Sequence, residues 1–279
     1  MKTEELALAI RIGVVEQIKA RGFGHIGGSL SVCDLLAVLY GEVMRYRPLE
    51  PRWMERDKLV CSKGHAGPAI YAALGLMGFY DYERIKTLNQ PGTNFPSHCD
   101  RNKTPGVDMT TGSLGQGTSL SVGMALGDRL RGRDSRMYLI VGDGELDEGQ
   151  VWEAAMFASA RKLSNMHWFI DYNKKQLDGP VDWVMPHLDI RKKFEAFGFH
   201  AQMAPGHDIS AIREAIRRCG EVTDRPHAIV LDSVKGAGLP EVMETENNHS
   251  MSPSPEACDR WLAALRAQRE ALKGGEERP

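Results

Sequence analysis

The chain has no CxxC pair: its five cysteines, at positions 33, 61, 99, 219 and 258, are scattered and odd in number. That excludes a disulfide framework or a zinc knuckle and fits a reducing, cytoplasmic setting. An excess of either charge is also missing, with 35 basic against 37 acidic side chains and a formal charge of -2. No broad basic field exists for nucleic acid or an anionic membrane, so small molecules or protein are the expected partners. No uncharged run approaches membrane-spanning length. The N-terminus, MKTEELALAIRIGVVEQIKARG, carries acids early, unlike a secretory signal, and reads as an amphipathic first helix. Internal repeats and long flexible linkers are absent too. With 279 residues, 42% of them hydrophobic, the length supports a substantial core, and a single domain over 1–279 is expected.

What is present is a recurring pattern: a short apolar run, a glycine-containing turn, then a stretch of helical periodicity, the βα unit of a parallel sheet. Met137 to Val141 is followed by GDGELDEG and the helical stretch Gln150 to Leu163. Met166 to Tyr172 ends at Asn173, and Ala228 to Ser233 ends at VKGAG. Leu59 to Ser62 followed by KGHAG, and Ala201 to Met203 followed by GHDIS, are similar. The fold expected is α/β, a parallel sheet flanked by helices. Ligands of such sheets gather outside the carboxyl ends of the strands, where these polar turns fall. Ser31 and Asp34 have capping-box spacing ahead of a helix containing Leu35, Leu36, Leu39 and Val43, which makes GHIGGS a loop leading into a helix. Thr87 to Gln116, rich in Gly, Pro, Asn and Thr, reads as a long functional loop. Residues 255–273 read as a peripheral C-terminal helix and GGEERP as a frayed end.

The strongest local signal is Gly142-Asp143-Gly144 at one strand end with Asn173 at the next. Asp143 offers a hard anionic oxygen to Mg²⁺ or Ca²⁺ and Asn173 a neutral amide oxygen. A following backbone carbonyl supplies another ligand, and the glycines admit a diphosphate close to the backbone. By itself GDG also suits an ordinary strand-to-helix turn. The 28 residues between, Glu145 to Tyr172, hold one helix and one strand and match the thiamine diphosphate motif.

From there the chain resembles transketolases: GHIGGSLS, CSKGHAGPAIYAALGLMG, TPGVDMTTGSLGQGTSLSVGMALG, VGDGELDEGQVWEAAMFASARKL and YNKKQLDG stand in the family's order, over about Gly24 to His249. The resemblance implies a thiamine-diphosphate-binding fold. It implies metal ligation by Asp143, Asn173 and the main-chain carbonyl of Lys175, with Gly142 and Gly144 at the diphosphate. Gly112, Ser113 and Leu114 of GSLGQG fall against the aminopyrimidine, where Leu114 would support the bent cofactor. His25, His65, His98 and His249 correspond to the histidines of the substrate channel, suited to proton transfer at a sugar's hydroxyls. Around His249 the aromatic-His-Gly setting usual in the family is replaced by Asn248-His249-Ser250. Lys63 and Lys235 match positions of counter-charge to the diphosphate, Gln176 a cofactor-side residue, and Glu148 an acid of the carboxylate network between subunits. Glu145 and Asp147 read as an acidic first turn for the following helix. His167, His187, His200, His207 and His227 read as structural.

Full-length transketolases continue into a pyrimidine-binding domain and a smaller C-terminal domain, and this sequence stops before either. The glutamate that tautomerises the aminopyrimidine and the arginines that grip a sugar phosphate belong to that other half. The resemblance therefore implies a split enzyme, a heterotetramer whose separate C-terminal subunit supplies the pyrimidine side. Its expected reaction is transfer of a two-carbon ketol unit from a ketose phosphate or modified ketose to an aldose. Within enzymes the alternatives are a 1-deoxyxylulose-5-phosphate synthase-like protein or a 2-oxoacid dehydrogenase α-type subunit. GHIGGSLS together with SKGHA favours sugar transfer. A non-catalytic cofactor-binding paralogue is the alternative from a different class.

Overall fold

The computed structural model describes residues 1–274. Its main sheet has five parallel strands, β1 (Lys58–Cys61), β2 (Met137–Gly142), β3 (Met166–Tyr172), β6 (His200–Pro205) and β7 (His227–Asp232), in the order β1-β2-β3-β7-β6. A two-residue antiparallel hairpin, β4 (Lys175–Gln176) with β5 (Gly179–Pro180), follows β3. The parallel α/β arrangement expected from the apolar runs is the one found. Boundaries shift by a residue or two, and the run at Ala201 extends to both sides, because the edge strand pairs with β7 along its whole length, His200 to Pro205.

Alternation along each strand divides the interior between the two faces of the sheet. Tyr138, Ile140, Phe169, Ile229 and Leu231 face one core with the helices Thr3–Arg21, Cys33–Val38, Gly67–Leu76 and Ile209–Cys219. Leu139, Val141, Trp168, Ile170 and Val230 face the other, with Gln116–Leu130, Gly149–Ala160 and Ile190–Ala196. With both faces covered, β2 reads as a continuous buried run. Helix Pro255–Gly274 packs along Thr3–Arg21, where Arg266 pairs with Glu16 and Arg269 with Glu5. The expected frayed end lies largely in 275–279, outside the described residues. All five cysteines are buried and unpaired. Among the described residues no helix is long and apolar enough to cross a membrane.

One local expectation is overturned. Ser31 and Asp34 form no capping box, and the helix Cys33–Val38 starts without a side-chain cap. Both side chains are drawn into tertiary bonds instead. Ser31 Oγ donates to Asp171 Oδ2 at 2.7 Å, and Asp34 takes a two-pronged bond from Arg11 and another from His207. Buried charge pairs hold such groups more firmly than a solvated cap would. GHIGGS is likewise not all loop, since Gly27–Leu30 already forms a helical turn.

After β3 the chain crosses to the far edge strand β6 and returns to place β7 beside β3, so the direction of strand addition reverses there. Crevices at such reversals, outside the carboxyl ends of the strands, are where ligands bind.

Candidate active site

The loops leaving β1, β2, β3 and β7, with the loop before helix Gln116–Leu130 and the turn at His25, enclose one cleft at this edge. Of the candidate residues, it is lined by His25, Lys63, His65, His98, Gly112, Leu114, Gly142, Asp143, Gly144, Asn173, Lys175, Gln176, Lys235 and His249. The motifs scattered along the sequence thus converge. The expected long loop is largely without regular structure from Leu88 to Gly115 and delivers His98, Gly112 and Leu114. Tyr71 Oη, donating to the carbonyls of Pro96 and His98 at 2.8 and 3.1 Å, holds the His98 segment down. Ser113 and Glu148 do not line the cleft; both are exposed. Leu177, which sequence reasoning did not select, does line it.

Asp143 directly follows β2 and is 2% exposed. Its Oδ1 accepts from the Gly144 amide at 2.9 Å and its Oδ2 from the Lys174 amide at 2.5 Å. Burial, then the charge of Asp171, push its carboxyl up to about 7. A buried carboxylate so destabilised is a ready partner for a hard cation. Lys174 sits at φ +68°, a left-handed conformation uncommon outside glycine. That turn lets its amide reach Asp143 and brings the Lys175 carbonyl to the cleft, where it accepts from Lys235 Nζ at 3.0 Å. Gly144 is required sterically: a Cβ there would lie 2.6 Å from the Cβ of Gln176. The acid, the amide and the carbonyl fit a metal diphosphate. Among the described residues no group of three or more His, Cys, Asp or Glu side chains could hold a metal, so an ion here would need cofactor oxygens to complete its shell.

Two buried acids organise these loops. Glu145 stands in the first turn of the short 3₁₀ helix Gly144–Asp147, as an acid there was expected to, but its side chain turns inward: it is 2% exposed, and its carboxylate accepts from Ser62 Oγ, from the Gly115 amide at 2.8 Å and from the Gly142 amide at 3.1 Å. It ties the ends of β1 and β2 to the GSLGQG loop, a role decided by tertiary contacts. Gly115, at φ +81°, makes the turn that points its amide there. Asp171 is 1% exposed and pairs with Lys63 at 2.5 Å, while accepting from Ser31, Ser233 and Asn173. An acid within an otherwise apolar strand, two residues before Asn173, was the available signal. Lys63 has its charge matched by Asp171, whose attraction outweighs the burial that would lower it and keeps the ammonium above its ordinary range. Burial, and then Lys63, press Lys235 down to about 8.

The four channel histidines form one bank. His25 lies 5.6, 5.3 and 5.3 Å, ring centre to ring centre, from His65, His98 and His249, and His65 lies 4.6 Å from His249. Burial holds all four below their ordinary value, His25 at about 4 and His249 at about 3, reinforced at His25, His65 and His249 by nearby lysines and neighbouring imidazoles. Each is neutral at pH 7, able to donate one hydrogen bond and accept another. His249 joins the bank despite its unusual setting because Asn248, 1% exposed, donates to the carbonyls of Lys235 and Val242 and accepts from the Gly27 amide through its own carbonyl. His207 is left structural by sequence, yet it accepts from the Val234 amide at 2.8 Å and so anchors the loop that carries Lys235.

A glycine-lined acid and amide at the switch point of a parallel sheet, faced by neutral imidazoles, is the architecture of a thiamine-diphosphate-binding domain. The family is transketolase: a model described as transketolase, thiamine diphosphate binding domain, matches residues 2–258, and the chain belongs to that family. It is 46% identical over 259 residues to the 6-deoxy-6-sulfo-D-fructose transketolase subunit SqwG of Clostridium sp. (strain MSTE9), covering 93% of each chain. It is 32% identical to an apulose-4-phosphate transketolase subunit of Phocaeicola vulgatus, over 93% of this chain and 92% of that one. Against human transketolase identity is 35% over 97% of this chain and only 43% of the other. Transketolase from Campylobacter jejuni superposes with a TM-score of 0.85 at 26% identity, covering 98% of this chain and 48% of that one. The chain therefore spans under half the length of those two transketolases and nearly all of the subunit-type relatives. It is a transferase of transketolase type.

Proposed function

We propose that this chain is the diphosphate-holding subunit of a split transketolase, active with a separate subunit that carries the pyrimidine-binding domain, as a cytoplasmic heterotetramer. In this reading residues 1–279 act as one cofactor-binding domain. The carrying observation is that Asp143 and Asn173 open into the same cleft as the bank of four neutral imidazoles. A half-site is supported by size: the cleft encloses about 220 Å³, below the roughly 300–1,000 Å³ of complete small-molecule pockets. Its match to nearly the whole of two subunit-type relatives supports a separate partner.

Asp143, the Asn173 amide oxygen and the Lys175 carbonyl would hold Mg²⁺ or Ca²⁺, with Gly142 and Gly144 against the diphosphate. Lys235 and Gln176 would lie along it, and Leu114 and Leu177 would meet the rings. When bound, thiamine diphosphate supplies the nucleophilic carbon that accepts a two-carbon ketol unit. The chain's own residues do the rest. His25, His65, His98 and His249, uncharged at working pH, accept the proton of a donor hydroxyl and return it to the acceptor aldehyde oxygen. Exposed Glu148 would meet a partner's carboxylate rather than the cofactor.

The donor we propose is a ketose bearing an anionic group at its far end, a phosphate or a sulfonate, with an aldose as acceptor. The names of the relatives support this class, the nearer of the two subunit-type relatives acting by its name on a sulfonated ketose. Among the described residues no arginine lines the cleft, so the far anion would be gripped by the partner. The test is reconstitution with the partner, thiamine diphosphate and Mg²⁺, offering 6-deoxy-6-sulfofructose and fructose 6-phosphate with an aldose acceptor. Ketol transfer from at least one donor is expected. Its absence with both, in an assembled and cofactor-loaded complex, would remove the catalytic reading.

A further inference from the structure

We infer that Asp171 is the positioning residue of the metal-diphosphate site: it dictates which end of the Asn173 amide faces a bound cation. The inference rests on the reading that Asn173 is a metal ligand. A carboxylate can only accept hydrogen bonds, so of the two ends of the Asn173 amide only the NH₂ can face it. That is the arrangement found, with Asn173 Nδ2 donating to Asp171 Oδ2 at 2.9 Å. The amide oxygen is thereby turned to the other side, where it lies 3.2 Å from the Lys175 amide at the cleft wall. Asp171 is no ligand itself. It does not line the cleft; its Oδ2 is saturated by Ser31, Lys63 and Asn173, and its Oδ1 accepts from Ser233.

The same carboxylate registers the loops that deliver the cleft's other groups. Lys63 stands two residues before His65, Ser233 two residues before Lys235, and Ser31 in the segment that follows His25. Three loops and the end of β3 therefore meet on one buried acid, and the only one of these bonds that orients a cation ligand is the one to Asn173.

Binding of Mn²⁺ to the chain assembled with its partner subunit and thiamine diphosphate, followed by electron paramagnetic resonance beside thermal unfolding, separates this role from a merely structural one. Wild type is expected to bind Mn²⁺; if it does not, the metal-diphosphate reading itself fails. In D171A the carboxylate that fixes the Asn173 NH₂ is gone, so the Mn²⁺ Kd is expected to rise by roughly 10–100-fold, the usual effect of losing an outer-shell partner. In D171N the new amide must turn its oxygen to Lys63 Nζ, which cannot accept, so that oxygen still takes the Asn173 NH₂ and binding is expected to stay near wild type. S233A removes a bond from the opposite oxygen of Asp171 and is expected to lower the unfolding temperature while leaving Mn²⁺ binding near wild type. If D171A does not fold, N173D and D171N/N173D are the comparison: two facing carboxylates should bind Mn²⁺ more weakly than the exchange. Unchanged binding in D171A, equal weakening in S233A or D171N, or no advantage of the exchange over N173D would each overturn the assignment.

Discussion

The sheet carries a group of histidines at each end, and the two groups have different consequences. At the carboxyl edge stand His25, His65, His98 and His249. At the amino edge His167, His227 and His200 occupy facing positions on β3, β7 and β6, with Tyr138 of β2 stacked on His167 at 5.2 Å and His167 on His227 at 4.8 Å. Burial holds His167 and His227 below their ordinary value, His227 at about 4, much as it holds the channel histidines. Residue type and charge state therefore do not separate a reactive bank from a packed one. What separates them is the surroundings. The carboxyl edge has glycine turns, two lysines, a buried carboxylate and an open cleft, whereas the amino-edge rings lie packed on one another along the ends of paired strands.

The contrast can be broken most sharply at Asp143. Asp143→Ala is expected to abolish metal-dependent thiamine diphosphate binding, a loss of more than about 100-fold by calorimetry. The thermal midpoint should stay the same or rise, because a strained buried carboxylate is gone. Cofactor affinity equal to wild type would take Asp143 out of the metal site.

Next in size, His65→Asn in the assembled enzyme should lower kcat by about 100-fold or more, the range of general acid–base catalysis, while His227→Asn at the other edge leaves kcat within about twofold. Steady-state kinetics of the two variants side by side decides this; equal losses would mean that the carboxyl-edge bank has no special role.

Glu145→Ala should destabilise the chain by about 2–4 kcal/mol in urea unfolding, since it strands the Gly115 and Gly142 amides and the Ser62 hydroxyl. An exposed change such as Glu148→Ala should stay within about 0.5 kcal/mol.

The smallest effect is that of pH. Imidazoles with folded values below the ordinary 6.5 bind protons more readily unfolded, so stability rises with pH across that interval. Each imidazole's share should be fully present above about pH 6.5 and be lost as pH falls toward 4, by on the order of 1 kcal/mol per imidazole at pH 5.5, offset in part by Asp143, whose raised carboxyl takes up a proton over the same interval. Urea midpoints at pH 7.5 and 5.5 measure the loss. His25→Asn/His249→Asn and His227→Asn should each reduce it, which apportions the sensitivity between the two edges.

How much was legible in advance follows the same division. The βα grammar was readable because a buried parallel strand must be apolar almost throughout, as β2 and β3 are. Gly142, Asp143, Gly144 and Asn173 were readable because they sit at strand ends with few residue types that fit. Ser31 and Asp34 were misread because short polar side chains near a helix start suit a cap on local grounds, and Glu145 does stand in a first turn but points inward. Only their distant partners, Asp171, Arg11 and the Gly115 amide, decided otherwise.

By itself, then, the sequence determined the sheet, the motifs and their family, because periodicity and strand-end chemistry are local properties of the chain. The tertiary structure alone decided how Asn248 seats His249 in an unfamiliar setting, that Glu145 is an internal tie and that one acid of β3 gathers the loops. Those are outcomes of packing between segments far apart in the chain, where burial turns a polar side chain from a solvated group into one that must find a partner.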